Sequence, residues 1–155
     1  VPQKDQAFIR TGDAASTPTT EPAEQKPRAH ALVVDDMKVN QKIMASMLEP
    51  LGISSDFAES GGDCLNLCKE NHYDLIFLDQ QMPGVYGTET MIYLKKYMSE
   101  SKTSIPVVCY TSNDTPEDRK DYQRAGFAAI LGKPAHPDRV REIVEELLGE
   151  KFGIS

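Results

Sequence analysis

Apolar residues fall along the chain in short bursts of two kinds, and their alternation predicts a sheet wrapped by helices. Ala31-Leu32-Val33-Val34 and Leu75-Ile76-Phe77-Leu78 are apolar runs without polar interruption, the pattern of strands buried on both faces. Ile53 to Ala58 reads as a weaker strand, Pro106-Val107-Val108-Cys109-Tyr110 as a fourth, and Phe127 to Leu131 as a fifth. Between the strands the spacing becomes helical. Asn40, Ile43, Met44, Met47, Leu48 and Leu51 mark a first helix, with Gly52 placed just past it as a C-terminal cap. Ser60-Gly61-Gly62-Asp63 resembles a capping box that opens a second helix through Asn71. A third helix spans about Thr88 to Met98, with Met91, Leu94 and Met98 on one face. Thr115-Pro116-Glu117-Asp118 is a helix start, with Thr as N-cap and Pro at the first helical position, and that helix stops at Gly126. The last helix begins near Pro137 and runs to Leu148, with Val140, Ile143, Val144 and Leu147 as its apolar stripe.

Five strands alternating with five helices through short connections imply an α/β domain, a parallel sheet covered on both faces. Right-handed crossovers then favour a flavodoxin-like (βα)5 doubly wound sheet with strand order 2-1-3-4-5. Residues 1–28 do not share this pattern. Thr11 to Arg28 is a mixture of Thr, Ser, Ala, Pro and Glu with almost no large apolar side chains, the composition of a flexible linker. The expected organisation is a linker or tail of a preceding domain over 1–28, one domain over 29–149 and a short tail over 150–155. The chain opens on Val1 rather than Met, so a piece of something longer is expected.

Charge narrows the chemistry. A net charge of −7 without any Lys/Arg-rich run argues against a nucleic-acid surface. No apolar run approaches membrane-spanning length and no signal peptide is visible, so no membrane contact is expected from this segment. The three cysteines show no metal-ligand spacing, and Cys64 and Cys68 fall one helical turn apart as small core residues. A reducing, cytoplasmic setting suits them.

The strand ends carry the chemistry. Strands one, three, four and five end in Asp35-Asp36, Asp79, Thr111 and Lys133, and in open α/β sheets the carboxyl ends of the strands form the ligand crevice. Three carboxylates gathered there repel one another unless a cation holds them, and Mg²⁺ is the hard, oxygen-seeking candidate. A lysine and a hydroxyl opposite would supply donors to phosphoryl oxygens, and Asp79 could then act as a nucleophile that forms an aspartyl-phosphate. Taken singly, each residue has a plainer role: Asp79 or Asp36 as a cap, Thr111 as a turn residue, Lys133 as a surface lysine.

In combination and order these motifs resemble the receiver domain of a two-component response regulator or hybrid histidine kinase, over about Ala31 to Leu148. The resemblance rests on Val33-Val34-Asp35-Asp36, on Asp74-Leu75-Ile76-Phe77-Leu78-Asp79 with Met82-Pro83, on Tyr110-Thr111-Ser112, and on Gly132-Lys133-Pro134. It implies that Asp79 is the phosphoacceptor. Asp35, Asp36 and the backbone carbonyl of Gln81 would bind Mg²⁺, Thr111 would sense the phosphoryl group, and Lys133 would pair with it. Ser112 belongs to the hydroxyl motif, and the side chains of Gln81 and Asn113 could border the path of attacking water. One position departs from the family. Where many receivers carry Tyr or Phe three residues before the lysine, this chain has Ile130, so a muted switch is expected. Tyr110, by strand alternation, should point away from Thr111.

The resemblance also implies partners: a histidine kinase, possibly in cis, and a histidine phosphotransfer protein. Val1-Pro2-Gln3-Lys4 through Ile9-Arg10-Thr11-Gly12-Asp13 is similar to the segment closing the ATP-binding domain of many hybrid kinases. Only Gly149 to Ser155 follow Leu148, so output is expected from the receiver itself or by onward transfer. Two other classes stay open on the residues: a pseudo-receiver interaction module, and a haloacid-dehalogenase-type phosphohydrolase. The latter places Asp-x-Asp after its first strand, where this chain has the adjacent pair Asp35-Asp36.

Overall fold

Each burst of apolar residues becomes one layer element in the computed structural model, which describes residues 29–82 and 84–152. The order is β1 (Ala29–Val34), α1 (Lys38–Leu48), β2 (Ile53–Ala58), α2 (Gly61–Glu70), β3 (Leu75–Asp79), α3 (Gly87–Ser101), β4 (Val107–Thr111), α4 (Pro116–Ala125), β5 (Ala129–Gly132) and α5 (Pro137–Phe152). The strands form one parallel sheet of order 2-1-3-4-5, the flavodoxin-like arrangement that the crossovers require. β3 is central, and all five of its residues are buried. A fully buried Leu, Ile or Phe side chain contributes about 1.5–3 kcal/mol, which makes this strand the anchor of the sheet.

Strand alternation divides the core in two. Leu32, Val34, Ile76, Leu78, Cys109 and Ile130 pack against α2, α3 and α4 through Cys64, Cys68, Met91, Leu94 and Tyr122. Ala31, Val33, Leu75, Phe77, Val108 and Tyr110 pack against α1 and α5 through Met44, Leu48, Val140, Ile143, Val144 and Leu148. All three cysteines are buried and free, and burial pushes the Cys109 thiol up to about 12, so it stays protonated at neutral pH.

The helix ends follow local chemistry. The Ser60 side chain accepts from the Asp63 amide at 3.1 Å, and the Thr115 hydroxyl accepts from the Asp118 amide at 3.1 Å. Gly52 and Gly126 take left-handed φ of 80° and 103°, conformations that glycine adopts without a Cβ penalty.

Several boundaries differ from the pattern. Ile43 is 46% exposed, because α1 turns Gln41, Met44 and Leu48 inward instead. Leu147 is only half-buried and Leu148 takes the core position. The last helix continues to Phe152, since Gly149 does not adopt a left-handed φ and no proline follows it. Phe127 lies outside β5: its amide caps α4 on the Tyr122 carbonyl at 3.2 Å, and its ring meets Tyr122 edge-on at 6.1 Å. A small hairpin, Gln81–Met82 paired with Val85–Tyr86, follows β3. The linker over 1–28 lies outside the described residues. Among the described residues, no helix is long and apolar enough to cross a membrane.

A polar cluster ties the edge strand β2 to β1 and β3. His30 stacks on Tyr73 at 5.2 Å and bonds Ser54 and Asp56, the latter at 3.0 Å, while the Tyr73 hydroxyl donates to Asp56 at 2.7 Å. Partial burial raises the Asp56 carboxyl, but the hydrogen bonds from His30 and Tyr73 outweigh it and hold the group below the usual carboxylate range. A depressed carboxyl adds stability above its unfolded pKa of about 3.9 and loses it as pH falls through the folded value. Asp56→Asn should therefore flatten the loss of stability between about pH 5 and pH 3, as measured by urea unfolding across that range.

Candidate functional site

β1 and β3, adjacent and parallel, deliver Asp35 and Asp79 to the same end of the sheet. Asp35, Asp36 and Asp79 each present a carboxylate oxygen within 4.8 Å of the others. Asp79 is 2% exposed and Asp35 1% exposed, whereas Asp36 faces solvent. Two buried carboxylates and one exposed one form a hard-oxygen donor set suited to a divalent cation.

Asp35 does not spend both of its oxygens on the protein. Its Oδ1 accepts from the Met37 amide at 2.9 Å, and its Oδ2 is buried without a hydrogen-bond partner. Burial raises its carboxyl above the ordinary range against the lowering effect of the Met37 amide, and the neighbouring Asp79 charge adds to the rise. The backbone beneath is held by Gln41, whose side-chain amide donates to the Asp35 carbonyl at 2.7 Å. Asp36 does not cap α1; Met37 holds the N-cap position, with no side-chain cap.

Lys133 reaches the site from the loop after β5. Its Nζ lies 2.7 Å from Asp79 Oδ1 and 4.9 Å from the centre of the Tyr110 ring, and its amide donates to the Thr111 carbonyl at 2.9 Å. The Lys133–Pro134 peptide bond is cis. The Gln81 amide donates to the same Asp79 Oδ1 at 3.0 Å. Among the described residues both hydrogen bonds to this carboxylate fall on Oδ1, leaving the lone pairs of Oδ2 free. The surface-lysine role does not hold: the ammonium is committed to Asp79.

Thr111 is fully buried at the end of β4. It does serve its turn, since the Asn113 amide donates to its Oγ1 at 3.0 Å. It also meets the Gln81 side-chain amide at 3.1 Å and the Tyr122 hydroxyl at 3.2 Å. Tyr110 points to the α1/α5 layer and Thr111 to α4, as alternation requires. Ser112 and the Asn113 side chain are exposed; Asn113 contributes its backbone amide and carbonyl. Ile130 lies in the same core cluster as Tyr122. Tyr122 was not among the residues expected at the site. Its sequence signal was an aromatic on the buried face of a polar helix, which reads as core.

The chain resembles known proteins along nearly all of this fold. A family model described as the response regulator receiver domain matches residues 31–145. The sensor histidine kinase AruS of Pseudomonas aeruginosa is 29% identical over 134 residues, 86% of this chain but 13% of the kinase, so the chain spans a small part of that relative. The polar-differentiation response regulator DivK of Brucella ovis is 31% identical over 119 residues, 77% of this chain and 95% of that protein. Among solved structures, the co-crystal of the Saccharomyces cerevisiae histidine phosphotransfer signaling protein Ypd1 with the receiver domain of its downstream response regulator Ssk1 matches at 25% identity. That match has a TM-score of 0.72 and covers 81% of this chain and 92% of the other. Vibrio cholerae CheY4 shares the fold at 23% identity and a TM-score of 0.70, covering 77% of this chain and 98% of its own. Fold, strand-end residues and relatives agree: the chain belongs to the response regulator receiver domain family, the receiving module of two-component phosphorelay signalling.

Proposed function

We propose that Asp79 accepts a phosphoryl group from a phosphohistidine donor and that Asp35, Asp36 and the Gln81 carbonyl, with Asp79 itself, hold a magnesium ion for that step. The observation that carries this reading is the convergence of two further carboxylates and one lysine on Asp79, with Asp35 Oδ2 buried and unpaired. Bound magnesium supplies charge that offsets the carboxylates and the incoming phosphoryl oxygens. The chain's own residues do the rest. Asp79 Oδ2 attacks phosphorus, the P–N bond of the phosphohistidine breaks, and the imidazole leaves with the bonding electron pair. Lys133 and the Gln81 amide hold the carboxylate through Oδ1, so the attacking oxygen is oriented before the donor arrives. Thr111 and Lys133 then engage oxygens of the aspartyl-phosphate.

The donor arrives over α1. Met37, which follows Asp36 in the chain, and Val39 and Ile43 on α1 are exposed at 52%, 56% and 46%, an apolar surface on which a partner can land. That a receiver is bound to a phosphotransfer protein in the Ssk1 structure supports a histidine phosphotransfer protein as one partner. Similarity to a region of a sensor histidine kinase supports origin in a hybrid kinase, with residues 1–28 as its linker and the domain in the cytoplasm.

Incubating the chain with a small acyl-phosphate donor and magnesium should place one hydroxylamine-labile phosphoryl group on Asp79, located by peptide mass spectrometry. Labelling that persists in Asp79→Asn, or that ignores chelation of the metal, would overturn the reading.

A further inference from the structure

The hydrogens around Thr111 can be assigned. A threonine hydroxyl has one hydrogen and two lone pairs. The Gln81 side-chain amide at 3.1 Å and the Asn113 amide at 3.0 Å both donate to Oγ1, which fills the lone pairs. The Tyr122 hydroxyl donates its own hydrogen to the Asn113 carbonyl at 3.0 Å. That carbonyl lies 3.4 Å from Thr111 Oγ1, whereas the Tyr122 oxygen lies at 3.2 Å with its lone pairs free. The Thr111 hydrogen therefore goes to Tyr122. Burial raises the Tyr122 phenol, and its hydrogen bond with Thr111 lowers it.

Tyr122 is thus a resting acceptor for the very hydrogen that an aspartyl-phosphate needs. It sits on α4, 3% exposed, with its ring fixed edge-on against Phe127 at 6.1 Å. Ile130, on β5 in the same core cluster, offers neither ring nor hydroxyl.

We propose that Tyr122 is a positioning residue for the phosphorylation switch. Its phenol holds the Thr111 hydroxyl toward α4 in the unphosphorylated protein, and α4 is released when Thr111 turns to a phosphoryl group on Asp79. The inference rests on the proposed role of Asp79 and adds to it the element that reads the switch. Helix α4 responds through a side chain of its own, and the absence of an aromatic at Ile130 does not mute the response. No covalent step is involved; one hydrogen bond is exchanged for another.

Tyr122→Phe keeps the ring and its packing but removes the acceptor. The resting state then loses one net hydrogen bond that the bound state never had. Affinity for beryllofluoride with magnesium, a mimic of the aspartyl-phosphate, should rise about three- to tenfold. Backbone chemical-shift changes over Pro116–Ala125 on binding should shrink. In a Thr111→Val background the same substitution should change neither quantity, because the hydrogen it competes for is gone, and a purely packing role for Tyr122 would not depend on Thr111 in this way. Equal or weaker beryllofluoride binding by Tyr122→Phe, or an unchanged α4 response, would overturn the inference while leaving Asp79 in place. Failure of the unsubstituted chain to bind beryllofluoride would instead overturn the Asp79 reading, and this one with it.

Discussion

The Lys133→Met protein is expected to lose about 3 kcal/mol of stability at neutral pH in the absence of divalent cations, and to recover much of that loss when magnesium is added. The ammonium lies 2.7 Å from an Asp79 carboxylate whose side chain is 3% exposed. Two further carboxylates present oxygens within 4.8 Å. Methionine preserves the length of the stem over Tyr110 but leaves Asp79 paired only to the Gln81 amide. Breaking a buried ion pair from one side costs more than the pair itself contributes, because the remaining charge stays buried. A cation that binds only the folded state repays this by mass action. Urea unfolding with and without magnesium measures both quantities. A midpoint that does not move on substitution would mean that the lysine is not neutralising the cluster, and equal response of both proteins to magnesium would mean that it does not share the cation's task.

Gly87→Ala is the second large effect expected, a loss of about 1–3 kcal/mol together with loss of phosphoryl acceptance. Gly87 opens α3 directly beneath the site. A Cβ there would stand 2.9 Å from the Asp79 carbonyl, 2.9 Å from Gln80 Oε1 and 3.0 Å from the Gln80 Cα. The Gln80 side chain could move only by abandoning the Thr88 amide it caps at 2.9 Å. The backbone contacts cannot yield without shifting the end of β3, which is where Asp79 sits. Gly132→Ala is the control: a Cβ there meets nothing within 4 Å, and stability should change by less than about 0.5 kcal/mol. Thermal unfolding and phosphorylation assays on the pair separate a local clash from a general intolerance of alanine for glycine.

The sheet was readable because its strands announce burial. Leu75 to Leu78 has no polar residue to confuse the period, and its end at Asp79 coincides with the structure. The site was readable for a related reason: carboxylates, a hydroxyl and a lysine at four strand ends must meet once the sheet is parallel. Partnerships that depend on layer spacing were not readable. Tyr122 falls where helical periodicity puts a core aromatic, and nothing in Tyr122-Gln123-Arg124 tells that its hydroxyl reaches Thr111. Gln41 is polar yet 5% exposed, a position that hydrophobic patterning assigns outward and that the Asp35 carbonyl draws inward. The hairpin after β3 has strands of two residues, too short for any period. Ile43 shows the converse, an apolar residue at core spacing left 46% exposed on the surface of α1.

The two margins of the sheet are unlike each other. β5 is short, four residues, and offers little length for another strand to join. β2 is longer, six residues, and carries Ser54-Ser55-Asp56 along its middle, with Asp56 kept ionised by His30 and Tyr73. A second molecule adding to that margin in the register that pairs like residues would set one Asp56 against another. That register is disfavoured at neutral pH, because like charges placed opposite each other repel. The same carboxylate that braces the strand internally therefore also sets a negative charge on its open margin, and acidification would weaken both effects together.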